Sequence, residues 1–300
     1  MLALVTLSAV SFSASRPPAV LHRCSPCMMA AELPGSPKEL AEEASLGVQA
    51  ALSAGCRRLE VVVPDGLCFF GQQGKQMLGD PDIPPPRAMR DKADREAAYL
   101  VCEMFQALGD DVVCVLDNED QVQIAAREWA KGGLKTRLVA SATELYSRGG
   151  GGFGGGGADT SPPRVVVVTR ANKQKLADLD PVIAPLGDEV VVVTVNPTRL
   201  KKGGSRAGYV PAFLLRDNPH PQWRGGFMCH RFGEQWLLGV AASGSRAIIH
   251  GRSTERPGLD DIDRGFANVK DDGSLVSKTG GLLSGAGAAA ALERRVPKEE

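Results

Sequence analysis

Short apolar runs and amphipathic segments alternate along the first two thirds of this chain. The runs Val165 to Val168 and Val190 to Val193 contain no polar residue, which is typical of strands buried on both faces. Elsewhere apolar residues recur at helical spacing, as in the segment that follows Ser36-Pro37 and ends before Gly55. A serine N-cap, a proline in the first turn and a glycine after the last turn mark the two ends of a helix.

The pattern predicts strands and helices in alternation. Strands are predicted at residues 59–63, 112–116, 137–140, 164–169 and 190–195, and helices at 39–54, 94–108, 119–131 and 172–186. Residues 65–87, rich in Gly, Pro and Gln, are predicted to form a long loop. This alternation favours right-handed β-α-β units and a mostly parallel sheet.

After Tyr209 the pattern changes. Turn residues separate four short apolar runs and leave no room for helices between them, which predicts an antiparallel meander at residues 213–216, 226–232, 235–241 and 246–249. A last helix is predicted at residues 259–268. The predicted fold class is therefore α/β, with a mostly parallel, Rossmann-like sheet flanked by helices and a C-terminal antiparallel meander that extends or caps it.

The pattern predicts a single α/β domain from residue 32 to residue 268, long enough to bury a substantial core. Within it, residues 149–157 hold eight glycines around Phe153 and are predicted to form a flexible loop. Such a tract matches Gly-x-Gly-x-x-Gly by composition alone, and it lacks the preceding strand and following helix of a dinucleotide site. Residues 269–300, rich in Gly and Ala, are predicted to be a flexible tail.

The first 31 residues are predicted to be a removable targeting presequence. An apolar stretch from Met1 to Val10, too short to span a bilayer, precedes a segment that carries Arg16 and Arg23 and no acidic residue before Glu32. The string Ala9-Val10-Ser11-Phe12 resembles the two-part presequence of algae with complex plastids, which implies a location in the plastid stroma. A plain secretory signal is the alternative, but its basic N-terminal region is missing.

The cysteines and charges narrow the classes of partner. Cys24 and Cys27 lie in the predicted presequence, and the remaining five of the seven cysteines are an odd, scattered set, which favours a reducing compartment. Lys and Arg together number 35, and Asp and Glu together also number 35. The sequence has no basic stripe of the kind that nucleic-acid binding requires. No second apolar run is long enough to span a membrane, so we expect at most peripheral association with thylakoids.

No catalytic, metal or cofactor motif is found, and none is predicted. The histidines lack ligand spacing, and neither a nucleophile elbow nor a Walker A loop is present. Asp117-Asn118 and Asn196-Pro197 each follow a predicted parallel strand, at the edge where ligands bind in open α/β sheets. With Arg199 they are the candidate pocket residues, although Asx residues also end strands for local reasons.

Several strings resemble a plastid and cyanobacterial domain-of-unknown-function family. They begin with Ser36-Pro37-Lys38-Glu39-Leu40, Gln49-Ala50, Ala54-Gly55 and Arg58-Leu59-Glu60-Val61 before Pro64, and continue with Val113 to Asp117, Val165 to Val168, Val191 to Pro197 and Gly225 to Arg246. The family includes the Low PSII Accumulation type of photosystem II assembly factor and the C-terminal part of a chloroplast adenylate kinase. This chain departs from it at Val62 and in the glycine tract.

The resemblance implies a soluble stromal protein that helps to assemble or maintain the photosynthetic apparatus by binding its proteins, without catalysis. An apolar partner surface around Trp223, Phe227 and Trp236 is one expectation, and ordinary packing of these aromatic residues over the meander is its alternative. A competing hypothesis is an enzyme that binds a nucleotide or phosphometabolite at the carboxyl edge of the parallel sheet. Asp117, Asn118, Asn196 and Arg199 would then lie near the ligand.

Overall fold

The computed structural model describes residues 22–23, 30–34, 36–64, 87–141, 144, 162–198, 208–217, 226–241 and 246–267. Several sequence predictions lie outside these ranges. They concern almost all of the loop at 65–87, the glycine tract at 149–157, Arg199, Trp223 and the tail at 269–300.

Five helices and eleven strands make up the described fold. The helices are α1 (Pro37–Ser53), α2 (Arg87–Met104), α3 (Glu119–Lys131), α4 (Lys173–Ile183) and α5 (Leu259–Ala267). The strands are β1 (His22–Arg23), β2 (Ala30–Glu32), β3 (Arg58–Val62), β4 (Val112–Val115), β5 (Arg137–Val139), β6 (Val165–Thr169), β7 (Val191–Val195), β8 (Val210–Asp217), β9 (Gly226–Arg231), β10 (Trp236–Ala241) and β11 (Arg246–Ser253).

All of the described strands belong to one mixed sheet. Its order runs β5-β4-β6-β7-β3-β8-β9-β10-β11, and both β1 and β2 pair with the outer edge of β11. All pairs among β3 to β8 are parallel. The pairs β8–β9, β9–β10 and β10–β11 are antiparallel. The predicted class, a mostly parallel α/β sheet extended by a C-terminal antiparallel meander, is therefore confirmed.

Helices cover both faces of the parallel strands. In β6, Val165 and Val167 pack in the same cluster as α1, α2 and α3, whereas Val166 and Val168 pack in the cluster that contains α4. Successive side chains of a strand point to opposite faces, so an unbroken valine run supplies apolar contacts to both. On the second face, Val62 of β3 packs with Ile262 and Phe266 of α5.

Side-chain caps fix where three of the helices begin. Ser36 Oγ accepts the Glu39 N–H at the start of α1 at 3.2 Å. Asn118 and Asn172 cap α3 and α4 in the same way. Each such cap is worth about 1 kcal/mol to a helix.

The predicted helix at residues 94–108 is wrong at both ends. The helix begins at Arg87 and ends at Met104, and a 3-10 helix, Gln106–Asp111, follows it. The side chains at residues 87–90 are exposed, so this first turn has no apolar face for a periodic pattern to reveal. Its position is set by charged side chains, which are described below.

A buried ion pair ties the C-terminal segment to the central strand. Glu60 of β3 is 2% exposed, and its carboxylate accepts hydrogen bonds from both terminal nitrogens of Arg256 at 3.2 to 3.3 Å. Arg256 also lies over the ring of Trp236, with its guanidinium carbon 5.5 Å from the ring centroid. The residues just before α5 are thereby held against the second face of the sheet.

The segment assigned to the presequence includes β1 and the first two residues of β2. His22 and Arg23 stand opposite Arg252 and Gly251 of β11, and residues 30–32 stand opposite residues 248–246. The predicted domain boundary at residue 31 falls inside β2. Removal of this segment stays a prediction.

Gly47 permits the close approach of α1 to β8. A Cβ atom at this position would lie 2.2 Å from the carbonyl oxygen of Ala212 and 3.1 Å from its carbonyl carbon. Backbone atoms of a sheet cannot swing aside as the end of a long side chain can. The helix axis is therefore set by the absence of a side chain at one position.

We predict that Gly47→Ala lowers the free energy of unfolding by about 1 to 3 kcal/mol, the usual cost of overpacking. At an exposed position inside a helix, Gly→Ala stabilises a protein by up to about 1 kcal/mol. A loss of stability at Gly47 would therefore come from the clash with Ala212. Chemical denaturation measures the effect, with the exposed Gln49→Ala on the same helix as a control expected to stay within about 0.5 kcal/mol. A stabilised Gly47→Ala protein would contradict the close contact.

Candidate functional site

The carboxyl ends of β4 and β6 form a topological switch point. From β4 the chain passes through α3 to β5 on one side, and from β6 it passes through α4 to β7 on the other. The two helices pack on opposite faces of the sheet. Diverging connections leave a crevice between adjacent strand ends, and ligands of open α/β sheets bind at such crevices.

Arg170 lies across this crevice directly after β6. Its backbone has a φ of 45°, in the left-handed region that non-glycine residues rarely adopt, and its N–H donates to the Val195 carbonyl at 2.9 Å. Nη1 lies 3.1 Å from Asp91 Oδ1 and 3.6 Å from Asp117 Oδ2, and Nε forms an ion pair with Asp94. One guanidinium therefore pairs with three carboxylates that come from α2 and from the end of β4.

Helix geometry brings two of these carboxylates together. Asp91 and Asp94 are three residues apart on α2 and therefore lie on the same face of it. Their side chains are 13% and 10% exposed, so most of their hydration is lost. Buried carboxylates need close partners, and Arg170 provides one for both.

Lys175, in the first turn of α4, supplies the second cation of the crevice. Its Nζ lies 2.5 Å from Asp117 Oδ1 and donates to the Thr169 carbonyl at 2.9 Å. Asp117, the first of the predicted pocket residues, is therefore held between Lys175 and Arg170. We refer to Asp91, Asp94, Asp117, Arg170 and Lys175 together as the switch-point network.

A second group of polar side chains joins α2 to α3 beside the network. Arg95, whose side chain is 8% exposed, donates from Nη1 to Gln121 Oε1 at 2.5 Å and pairs through Nε with Glu128 at 3.3 Å. Gln121 also donates from Nε2 to Asp91 at 3.5 Å. The α2 helix is thus fixed by charges at the edge where the crevice lies.

The other predicted pocket residues that the structure describes bind backbone groups. Asn118 Oδ1 accepts the Gln121 N–H at 3.0 Å as the N-cap of α3. Asn196, with φ 46°, accepts the Val63 N–H through Oδ1 at 2.9 Å and so joins the ends of β7 and β3. Asn118 therefore has the local Asx role that was the alternative, whereas Asn196 makes a contact between two strand ends that are 133 residues apart. Of the predicted pocket residues that the structure describes, Asp117 alone belongs to the switch-point network. Arg199 lies outside the described residues.

The expectation of an aromatic partner surface needs a correction. Phe227 and Trp236 are 1% and 3% exposed, so their side chains are packed inside the protein. Trp236 stacks on His230, with ring centroids 4.1 Å apart and planes 4° from parallel. The packing alternative therefore holds for both aromatic residues, and Trp223 lies outside the described residues.

Sequence reasoning missed four of the five residues of the network. Asp91 and Asp94 fall in or before a helix whose start was misplaced, and Arg170 and Lys175 are common surface residue types. The available signal was the sequence Asp-x-x-Asp, together with cations just after the buried strand Val165–Thr169. Linking them requires the sheet order, because Asp91 and Arg170 are 79 residues apart.

A cleft of about 390 Å³ lies at the opposite, amino edge of the sheet, and Arg57, Arg58, Asp188 and Glu189 are among the residues that line it. The Arg58 guanidinium pairs with Asp180 at 3.0 Å and is 3.4 Å from the Tyr209 hydroxyl. Arg57 reaches Glu189 at 3.8 Å, and that carboxylate is almost fully exposed. The cationic side chains of the cleft therefore already have acidic partners.

Two thiols of the described part of the chain, Cys102 and Cys229, are poor nucleophiles. Burial raises the pKa of Cys102 well above its ordinary value, and burial raises the pKa of Cys229 to about 12. Thiolate is the reactive form, so at neutral pH both groups are protonated core residues. Within the described ranges, no group of three potential ligands is placed to hold a metal ion, and no helix is long and apolar enough to cross a membrane.

Comparison with models of protein families, with curated proteins and with solved structures finds no match. The arguments about this chain therefore use its own residues and contacts.

We predict that Arg170→Gln destabilises the protein by about 1 to 3 kcal/mol. Removing the guanidinium leaves three converging carboxylates without their shared partner, and partial exposure of the site keeps the loss below that of a fully buried pair. Amide exchange in the first half of α2 should rise, since Asp91 and Asp94 lose the cation that they share. The exposed Lys173→Ala is the matched control, and an equal effect in both variants would contradict the role of Arg170.

We predict that acid destabilises the fold through His230. Burial, and more weakly the nearby Arg256, lowers the pKa of His230 to about 4, against an ordinary value of 6.5. The unfolded chain binds this proton first, so stability is complete above pH 6.5 and falls as the pH drops towards 4, by up to about 3 kcal/mol. Denaturation midpoints of wild type and His230→Phe should diverge across this window, and identical slopes would refute the assignment.

Proposed function

We propose that this protein acts without catalysis in the plastid stroma, in the assembly or maintenance of the photosynthetic apparatus, by binding proteins of that apparatus. The proposal starts from the resemblance to the family of photosystem II assembly factors and from the predicted presequence. The contacts of the described residues add a physical argument to it. That argument concerns the edge at which an enzyme of this fold class would bind its substrate.

The observation that carries the proposal is that the charged side chains of the switch-point network pair with one another. Arg170 contacts three carboxylates, and Lys175 contacts Asp117 and a backbone carbonyl. Catalytic groups are usually directed at the space that the substrate fills and have pKa values shifted to suit the reaction. Here the described groups are directed at each other, which supports a binding role over a catalytic one.

Polar groups and backbone, more than an apolar patch, are available for a partner on the described surface. Among the described residues, the exposed large apolar side chains are Leu46 and Met89, at 50% and 41% exposure. Isolated exposed apolar residues of this kind are common on protein surfaces. Transient interfaces are often no more apolar than the rest of a protein surface. The proposed partner is therefore recognised through hydrogen bonds and charge.

A second candidate function is the binding of a phosphometabolite or nucleotide in the switch-point crevice. The N-termini of α3 and α4 both lie at this edge, and Arg170 and Lys175 place two cations beside them. Helix N-termini and cations favour anions. A phosphate would have to replace the carboxylates that now pair with these cations, so its binding carries the cost of breaking the network.

The test combines a pull-down with a ligand screen. Tagged full-length chain is imported into isolated plastids, and the captured proteins are identified by mass spectrometry. We expect photosystem II core or assembly proteins to co-purify, and we expect nucleotides and sugar phosphates to leave the melting temperature of the full chain unchanged.

A reproducible shift with a nucleotide or sugar phosphate, without those partners, would overturn the proposal. A ligand at 100 times its Kd stabilises the folded state by about 2.7 kcal/mol, so such a shift is measurable. Lys175→Gln separates binding in the crevice from binding elsewhere, since it should abolish the shift. Lys173→Ala, on the same helix turn, should leave it intact.

A further inference from the structure

Two helices end at the cleft on the amino edge of the sheet, which we call the amino-edge cleft. Its lining residues are Gly55, Arg57, Arg58, Ile183, Ala184 and residues 187–190. Gly55 follows the C-cap of α1, and Ile183 is the last residue of α4. The cleft volume of about 390 Å³ lies within the range of about 300 to 1,000 Å³ that is usual for ligand pockets. The cleft is therefore large enough to hold a side chain of another molecule.

The two arginines of the cleft are already engaged. Arg57 Nη1 donates to the carbonyls of Leu52 and Cys56 at 3.3 and 3.4 Å, so this cation serves the end of α1. The Arg58 guanidinium pairs at 3.0 Å with Asp180, near the end of α4. Both cations thus have closer partners than the carboxylates that follow α4.

The carboxylates after α4 stand in an unfavourable place. Neither the last turn of α4 nor the 3-10 helix Ala184–Leu186 contains a basic residue, and Asp188 and Glu189 follow directly. The carbonyl end of a helix carries a partial negative charge, which favours cations and disfavours acidic side chains. Glu189 is 94% exposed and lies 3.8 Å from Arg57 Nη2, beyond hydrogen-bond distance. Asp188 is exposed and has neither a hydrogen bond nor an ion pair with the described residues.

We propose that the amino-edge cleft binds a basic side chain, lysine or arginine, in an exposed segment of a partner protein. Around the cleft the carboxylates of Asp180, Asp188 and Glu189 outnumber the two arginines by one. The arriving cation supplies the charge that the end of α4 lacks, and it donates charge-assisted hydrogen bonds to Asp188 and Glu189. The inference rests on the proposed protein-binding function, and it adds the chemistry of the partner and the place where it docks.

The shape of the cleft favours a side chain of a protein over a small unattached ligand. Gly55, Gly187, Asp188 and Glu189 are all exposed, and a Cβ atom on either glycine would meet no heavy atom within 4 Å beyond its chain neighbours. Pockets for small molecules usually bury about 70 to 90% of the ligand surface. A cleft that is open on this scale suits a side chain whose backbone stays on the surface of its own protein.

Docking at the amino-edge cleft leaves the buried contacts of the fold intact. The pair between Glu189 and Arg57 is exposed and long, so its loss costs little stability. In the switch-point network, a ligand would have to separate cations from Asp91 and Asp94, whose side chains are 13% and 10% exposed. The amino edge is thus the edge of the sheet where a charged partner group binds at the lower cost.

The test measures binding of a fluorescent, end-blocked peptide, Gly-Ser-Arg-Gly-Lys-Gly-Ser, to the full chain at low ionic strength, where surface charges are least screened. The cleft variant carries Asp188→Asn and Glu189→Gln together. The matched control carries Glu119→Gln and Asp120→Asn, which remove two adjacent exposed carboxylates at the opposite edge of the sheet. Peptides with glutamine or glutamate in place of arginine and lysine complete the set.

We expect the cleft variant to bind the basic peptide more weakly than wild type by about tenfold or more, because two charge-assisted acceptors are lost. The control variant should stay within about twofold of wild type. The melting temperature of the cleft variant should be no lower than that of wild type, since the removed charges oppose the end of α4. In wild type the basic peptide should shift the amide resonances of Gly55 and Gly187 and leave that of Arg170 unchanged.

Absence of binding to wild type, or an equal loss in the cleft variant and in its control, would overturn the proposal. Equal binding of the glutamate peptide would refute the charge argument and overturn it as well. Displacement of the basic peptide by an equal concentration of argininamide would assign the cleft to a small cationic ligand, which contradicts docking of a protein segment.

The plastid pull-down, repeated with the cleft variant, separates this inference from the proposed function. We expect the cleft variant to capture less of the photosystem II core or assembly proteins than wild type does. Equal capture by both proteins would refute the cleft as the docking site and leave the proposed function standing. Capture of no such protein by wild type, with peptide binding intact, would refute the proposed function alone.

Discussion

The burial of both faces of the parallel strands is the constraint on which the rest of this structure depends. Strands β4, β6 and β7 carry apolar side chains on both sides, because α1, α2 and α3 cover one face and α4 covers the other. Polar side chains inside such a sheet need specific partners, as Glu60 has in Arg256. The parts of the parallel strands that can contact other molecules are therefore their ends.

The carboxyl ends of the parallel strands and the outer edge of β11 present different groups. At the carboxyl ends of β4 and β6, carboxylates from α2 and from the end of β4 converge on Arg170, whose left-handed backbone places its guanidinium across the crevice. At β11 the available groups belong to the backbone, and an N-terminal segment covers them. Charge pairs within the fold occupy the carboxyl ends of β4 and β6, whereas residues near the start of the chain pair with the outer edge of β11.

The sequence predicted the strands well for a physical reason. Short valine runs without a polar residue suit a strand with two apolar faces, and capping residues such as Ser36 and Asn172 carry their own geometry. The beginning of α2 was missed because its first turn is fixed by ion pairs, and charges show no period. The network around Arg170 was missed because its members are joined by strand order, which local patterns do not encode. Asp117 was found from its position after a strand, but the same argument selected Asn118 and Asn196, whose amide oxygens serve the backbone.

The pairing of Glu60 with Arg256 also constrains the order in which this chain can fold. The two residues are 196 positions apart, so the central strand receives its counter-charge from a segment that is synthesised much later. Until Arg256 arrives, packing β3 between its neighbours would bury an isolated carboxylate, which is strongly unfavourable. A chain that emerges from a ribosome with its N-terminus first lacks this cation while β3 is already available for pairing. We therefore expect the packing of β3 to be completed only after Arg256 has been synthesised.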